Sequence, residues 1–340
     1  MIRTGVIGYG LGGMAFHAPL VDAVEGLQLA AIATSRADEV HARYPDAAVT
    51  SAEALIADPG IALVVISTPN DTHFPLAKAA LEAGKHVVID KPFATSIADG
   101  EALIALARAK GRVLAAFHNR RWDGDYLTVA KLLGSGRLGE LMLAELRWDR
   151  YRPEVTEAWK DSPEAGAGAL NDLGPHMIDQ ALQLFGQPES LTADVVRQRG
   201  GARVDDYFEI AFHYGARRVI LSTSRLVASP RPRFSLHGTL ASFVKYGLDP
   251  QETFLKAGGK ASDSDYGAQD PANDGTLVFG DGRSETIATE RGDYRRFYAG
   301  VARAIGEGAP PPVTAEDAVA GLRIIDLARQ SAAEGRRVTL

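Results

Sequence analysis

Three polar side chains have settings from which chemistry could be done. Asp172 and His176 lie four residues apart in GALNDLGPHMIDQ, residues 168–180, so on a helix they share one face. Such a pair offers half a metal site, an acid/base pair, or polar residues on a wetted surface. The segment alone fits all three. Lys91 closes the apolar run HVVIDKP and is followed by Pro92. A lysine at the end of a buried strand, ahead of a residue with fixed φ, is aimed at the crevice where open α/β sheets take their ligands. Surface lysines are common, and it is this position that sets Lys91 apart.

A second group is built to hold phosphates. GYGLGGM places Gly8, Gly10 and Gly13 in G-x-G-x-x-G spacing, with Leu11 and Gly12 inside the same turn. The first glycine permits a tight turn, the second lets the backbone approach a pyrophosphate, and the third lets helix and strand pack closely. The exposed amides of the helix start then face the phosphates. Further on, the second strand ends Ala33-Thr34-Ser35-Arg36, with no acid before Asp38. An acid there would hold a ribose 2′-hydroxyl and repel a 2′-phosphate; Ser35 and Arg36 can bond a phosphate instead. NADP is therefore the expected cofactor. Use of NAD is the alternative, with Arg36 a solvated loop residue. Thr68, Pro69, Asn70 and His73, in ISTPNDTH, are candidates for lining the cofactor ribose and phosphate, although Pro69 and Asn70 also suit plain turn chemistry.

These residues need a scaffold, and the chain supplies an alternating one. Strands at RTGVIGYG, LQLAAIAT, ALVVISTP, HVVIDKP and RVLAAFHN are separated by helical patterns within 11–25 and at 51–57, 74–83 and 96–110. Continuous apolar strands between helices imply a parallel sheet covered on both faces. Pro19 sits inside the first helical pattern, so that helix is expected to be broken or to begin late. After residue 121 the rhythm changes. A helix at 123–134, a strand at ELMLAELRWDRYR and the helix ending at Phe185 are followed by strands LTADVVRQR, DYFEIAFHY, RRVILSTSRL, RFSLHGT and ASFVKYG. Residues 257–275 read as a surface loop, and YRRFYAGVARAI and 315–334 as closing helices. The fold class is α/β: an N-terminal Rossmann domain, doubly wound on a parallel sheet (1–121), and a C-terminal α/β domain with a large, mostly antiparallel sheet (122–340).

Composition narrows the function. With 340 residues, two domains are the default. Net charge is −6 and no long basic run occurs, which disfavours a nucleic-acid partner. The absence of cysteine excludes disulfides, cysteine nucleophiles and thiolate metal sites. The N-terminus carries no signal-peptide pattern, and the densest apolar run, IALVVI, is too short to span a bilayer. A soluble, cytoplasmic protein with no membrane partner and no metal is expected.

Taken in order, GYGLGG, STPNDTH, DKP and GAGALNDLGPHMID, followed by HGTLASFVKYGLDPQE, resemble the Gfo/Idh/MocA oxidoreductases, NAD(P)-dependent dehydrogenases of sugars and polyols. The likeness covers nearly the whole chain. GMAFHAPL and FHNRRWDGDY are most similar to the branch containing NADP-dependent scyllo-inositol dehydrogenases. The family usually shows Glu-Lys-Pro where this chain has Asp90-Lys91-Pro92; the lysine is kept. The resemblance implies that Lys91, Asp172 and His176 are the catalytic group.

Oxidation of a secondary alcohol requires the hydroxyl proton to leave as hydride leaves. His176 is the natural base, with an ordinary imidazole pKa of about 6.5. Lys91 is suited to stabilising developing charge on the same oxygen, and Asp172 to orienting the imidazole or holding a neighbouring hydroxyl. Candidates for binding a sugar or polyol substrate are Asn119, Arg120, Arg121 and Trp122, with Asp123 beside them, and Tyr151 and Trp159 as aromatic faces. A non-catalytic sugar sensor and a glycoside hydrolase using transient nicotinamide redox are the rival functions. A homo-oligomer, dimer or tetramer, is expected through the strand-rich second domain.

Overall fold

The computed structural model describes residues 1–156 and 167–340. Among them the chain forms two sheets. The first joins β1 (Ile2–Ile7), β2 (Leu27–Ala33), β3 (Ala48–Thr50), β4 (Leu63–Ile66), β5 (His86–Ile89) and β6 (Leu114–Ala116) in the order β3-β2-β1-β4-β5-β6. Every pairing is parallel. This is the doubly wound Rossmann order, with the reversal of strand order between β1 and β4. Leu63 to Ile66 and Val87 to Ile89 are fully buried, which explains their unbroken apolar character: helices cover both faces, so neither face needs polar residues.

Helix ends follow local chemistry. The Ser96 side chain accepts the Asp99 N–H at 3.1 Å and opens helix Ile97–Lys110, and Gly111, with φ of 61°, closes it. The first helix begins with a π-helical turn, Gly13–His17, where the Ala18 N–H donates to the Gly13 carbonyl, and then runs as Ala18–Asp22. Pro19 has no N–H to donate back to residue 15, so the α-helical pattern starts only around it.

The second sheet joins β7 (Leu141–Arg147), β8 (Ser190–Val196), β9 (Tyr207–Tyr214), β10 (Arg217–Ser224), β11 (Phe234–Gly238), β12 (Ala241–Lys245), β13 (Gly275–Phe279), β14 (Ser284–Ile287) and β15 (Val338–Thr339). Its order is β14-β13-β12-β11-β7-β10-β9-β8-β15. Only β7 and β10 pair in parallel. Alternate residues Phe208, Ile210 and Phe212, Val219 and Leu221, and Phe234 and Leu236 are fully buried on one face, together with Met177, Ile178 and Ala181 of helix Gly174–Phe185. The period of two is the mark of a sheet covered on one side.

The compact units are not two successive pieces of chain. The first comprises Met1–Trp122, Gln251–Tyr266 and Asp293–Ala320; the second comprises Asp123–Pro250, Gly267–Gly292 and Gly321–Leu340. A cut at 121/122 does separate the two sheets. It misplaces the two later segments, because Tyr294, Phe297 and Tyr298 pack with Phe16, Phe117 and Trp122 as an aromatic cluster of the first unit. The stretch 257–275, expected to be surface loop, is anchored by buried Ala261 and Tyr266. Among the described residues no helix is long and apolar enough to cross a membrane.

Candidate active site

In the first unit the glycine turn joins β1 to the helix that follows. Gly8 has φ of 99°, and a Cβ there would lie 2.2 Å from the Ser67 carbonyl oxygen. A Cβ on Gly13 would lie 2.0 Å from the Gly8 carbonyl oxygen, so strand and helix touch there only because residue 13 is glycine. Gly10 differs: a Cβ there meets nothing within 4 Å, and the residue is exposed. Leu11 beside it is 53% exposed. A close-packed base with an open backbone rim is the cradle that a dinucleotide pyrophosphate requires.

Three strand ends converge on this turn. From the end of β2, the Arg36 Nη1 donates to the Tyr9 carbonyl at 2.9 Å and Nε donates to Glu39 at 2.7 Å, with Ser35 exposed beside it. From the end of β4, Ser67 and Thr68 come against Gly8, while Pro69 is exposed and Asn70 starts a 3₁₀ turn. The Thr68 and Thr72 hydroxyls bond at 2.6 Å. From the end of β5 comes Asp90, whose Oδ2 would lie 2.6 Å from a Cβ on Gly12. The Lys91 N–H donates to Asp90 Oδ1 at 2.7 Å, and the Lys91–Pro92 peptide is cis.

His73, expected among the cofactor contacts, is 1% exposed. Its Nδ1 lies 2.8 Å from the Pro92 carbonyl and its Nε2 lies 2.9 Å from the Thr68 carbonyl. Carbonyl oxygens only accept, so both contacts are complete only in the imidazolium form. The side chain clamps the ends of β4 and β5 together. Burial pushes the Asp90 carboxyl up, but His17, by charge and hydrogen bond, together with His73 and Lys91, outweighs burial and holds it below the usual carboxylate range.

In the second unit Asp172 and His176 are both 6% exposed, so they are not on a wetted surface. They do not sit in one continuous helix. Asp172 ends the short helix Ala169–Asp172, and His176 lies in the first turn of Gly174–Phe185. Pro175 cannot donate to the carbonyl four residues before it, which breaks the pattern between them. The Asp172 carboxylate lies 3.7 Å from the Arg225 guanidinium. The His176 ring lies 6.2 Å from that of Trp148, tilted 32°. Arg225 and Trp148 escaped the sequence reading because nothing in their spacing ties them to Asp172 and His176; the one signal was an arginine closing the strand run RRVILSTSRL.

The substrate candidates near residue 120 are engaged in the first unit. Asn119 and Arg120 are buried. Arg120 Nη1 donates to the Tyr294 hydroxyl at 2.6 Å, and Nη2 pairs with Glu252. Burial pushes Glu252 up, but Arg120 and Lys256 more than offset it and bring its pKa to about 2. Arg121 Nη2 donates to Asp317 at 3.0 Å, and Trp122 packs edge-on to Phe297 with centroids 5.8 Å apart. In the second unit Asp123 is buried just before helix Gly124–Gly134, and Tyr151 is 60% exposed. Trp159 lies outside the described residues. Among the described residues, no group of three or more His, Cys, Asp and Glu side chains could hold a metal ion.

Comparison with known proteins agrees with this geometry. Residues 2–118 match the oxidoreductase family NAD-binding Rossmann fold of Gfo/Idh/MocA proteins, and 130–340 match the family's C-terminal alpha/beta domain. The chain is 46% identical over 335 residues to the uncharacterized oxidoreductase YdgJ of Escherichia coli, covering 97% of this chain and 96% of that one. It is 42% identical over 343 residues to scyllo-inositol 2-dehydrogenase (NADP(+)) IolW of Bacillus subtilis, covering 100% and 96%. The solved structure of yvaA from Bacillus subtilis superposes with a TM-score of 0.97 at 42% identity, covering 100% of this chain and 98% of that one. With both domain models matched in order along one chain, the protein belongs to the Gfo/Idh/MocA family of NAD(P)-dependent oxidoreductases.

Proposed function

We propose that the protein transfers a hydride between NADP(H) and a secondary alcohol, or the matching ketone, of a sugar or inositol-like cyclic polyol. The observation that carries the reading is the position of the Asp90–Lys91 turn against the glycine turn, with Asp90 Oδ2 2.6 Å from where a Gly12 Cβ would stand. A lysine at that strand end is next to the backbone suited to the cofactor. The relative named as an NADP-dependent scyllo-inositol 2-dehydrogenase supports the substrate class.

Gly8, Gly10, Leu11, Gly12 and Gly13 would hold the pyrophosphate, and Thr68, Pro69 and Asn70 would line its neighbours. Ser35 and Arg36 would take a 2′-phosphate, since the guanidinium already rests on the Tyr9 carbonyl inside the turn. The nicotinamide, when bound, exchanges hydride with the substrate carbon. His176 removes the hydroxyl proton, Lys91 donates a hydrogen bond to the same oxygen, and Asp172, set by Arg225, orients the imidazole or a neighbouring hydroxyl. In the reducing direction protonated His176 or Lys91 returns the proton. Self-association through the nine-stranded sheet is part of the reading, supported by Met142, Val196 and Val278, which are exposed on its strands.

A panel of inositols, aldoses and keto-sugars with NADP and NAD, followed by nicotinamide absorbance, tests the proposal. Turnover of a cyclic polyol with NADP preferred is the expected result. Sugar release without net NADPH formation, or binding of a sugar with no turnover across the panel, would replace it with the hydrolase or the sensor.

A further inference from the structure

His17 is completely buried, one residue before the helix Ala18–Asp22, and lies against Phe117 with ring centroids 4.3 Å apart. Its two nitrogens are directed at different groups. Nδ1 is 2.6 Å from the Tyr298 hydroxyl, and Nε2 is 3.2 Å from Asp90 Oδ2, off the line of a well-formed hydrogen bond. That same Asp90 oxygen accepts the Ser67 hydroxyl at 3.0 Å, and the other accepts the Lys91 N–H at 2.7 Å. One carboxylate therefore ties together the base of the glycine turn, the end of β4 and the backbone of Lys91.

We propose that His17 is a positioning residue for Lys91: braced by Tyr298, its imidazole fixes the Asp90 carboxylate that holds the Lys91 amide. The proposal rests on the reading above that Lys91 acts on the substrate oxygen. Packing alone does not call for a histidine here. An apolar side chain would fill an aromatic pocket without the desolvation that a buried imidazole and carboxylate suffer. Tyr298 also braces the ring from the side away from Asp90. Its hydroxyl is raised well above its usual value, first by burial and then by Asp90, so it stays protonated and uncharged beside the imidazole. If the carboxylate turned, the Lys91 amide would lose its acceptor and the strand end would shift, and displacements of about 1 Å at a reacting group cost on the order of 100-fold in rate.

Two substitutions separate positioning from packing. In His17→Gln the amide nitrogen reaches the place of Nε2 and keeps a donor for Asp90. In His17→Asn it reaches only the place of Nδ1. Hydrogen exchange of the Lys91 amide, read without cofactor, is expected to quicken in H17N and in Tyr298→Phe and to stay slow in H17Q. With NADP and a polyol that the unaltered enzyme oxidises, kcat is expected to fall roughly 10- to 100-fold in H17N while KM for the polyol changes by less than about threefold. H17Q recovers most of that loss. Unchanged Lys91 exchange in both H17N and Y298F would overturn the proposal, as would equal losses in H17Q and H17N. If H17N does not fold, Y298F decides on the same exchange readout. If the unaltered enzyme oxidises no polyol, the dehydrogenase reading fails while amide exchange still decides whether His17 holds Lys91.

Discussion

The Asp172 carboxylate lies 3.7 Å from the Arg225 guanidinium, and both side chains are more than nine-tenths buried. A carboxylate buried this deeply would be costly without an opposite charge. Asp172→Asn therefore does two things at once: it removes the charge facing Arg225 and takes a carboxylate out of the proposed catalytic group. The expected result is a loss of roughly 3–5 kcal/mol in unfolding free energy together with a lower kcat. Chemical denaturation and steady-state kinetics on one preparation check both. Full stability with normal kcat would show that the pair does neither job.

His176→Ala is expected to act on chemistry alone. General base catalysis contributes about 10²- to 10⁴-fold, so kcat should fall by that order. NADPH affinity, measured by fluorescence titration, should stay within a factor of about two, because the glycine turn and Arg36 that would hold the cofactor belong to the other compact unit. A tenfold loss of cofactor affinity with kcat unchanged would remove His176 from proton transfer.

The glycines of the turn predict opposite phenotypes. Gly13→Ala drives a Cβ to 2.0 Å from the Gly8 carbonyl oxygen, where only backbone movement relieves the clash. Loss of thermal stability is expected before any cofactor is added. Gly10→Ala meets nothing within 4 Å, so its Tm should match the unaltered protein while NADPH binding weakens about tenfold or more, since the added methyl occupies the rim that the pyrophosphate approaches. Differential scanning fluorimetry with and without NADPH separates the two. A G10A protein that binds NADPH normally would place the cofactor elsewhere.

Arg36 is where the proposed preference for NADP would reside. Its guanidinium is held on the Tyr9 carbonyl and by Glu39, and its side chain is 43% exposed. Charge-assisted hydrogen bonds contribute about 1.5–3 kcal/mol, so Arg36→Ala should lower kcat/KM for NADP roughly 10- to 100-fold. NAD should change little. Equal losses with both cofactors would assign Arg36 to the shape of the turn.

The parts legible in the sequence are those whose physics is local. β4 and β5 are unbroken apolar runs because both faces are buried, and the glycine turn is read from spacing because each glycine answers a separate steric demand. Helix Ala37–Arg43 gave no amphipathic signal since it buries only Val40, and β14 carries mostly exposed residues. What pairs across long separations was invisible: Arg225 with Asp172, Tyr298 with His17, and the return of Asp293–Ala320 to the first unit. Those contacts are created by topology, and no periodicity announces them. His73 shows the converse. A histidine in a ligand-facing loop pattern turned out to have both nitrogens committed to backbone carbonyls.

His86 gives the acid side of the stability curve a specific cause. The half-buried ring accepts the Val113 N–H on Nδ1 at 3.0 Å, which requires that nitrogen to be unprotonated. Burial first, and then the Arg112 charge, push its pKa down to about 4. In the unfolded chain the same ring takes up a proton near the ordinary value of about 6.5. Between these two values the unfolded state binds more protons than the folded one, so this group's contribution is complete above about pH 6.5 and is lost as pH falls toward 4. His86→Asn offers Val113 an oxygen acceptor that does not titrate. Its Tm should therefore decline less steeply than that of the unaltered protein from pH 6.5 to 4 and run parallel to it above pH 7. Identical slopes through the acid window would mean that His86 is already neutral in the unfolded chain or protonated in the folded one, and the assignment would fall.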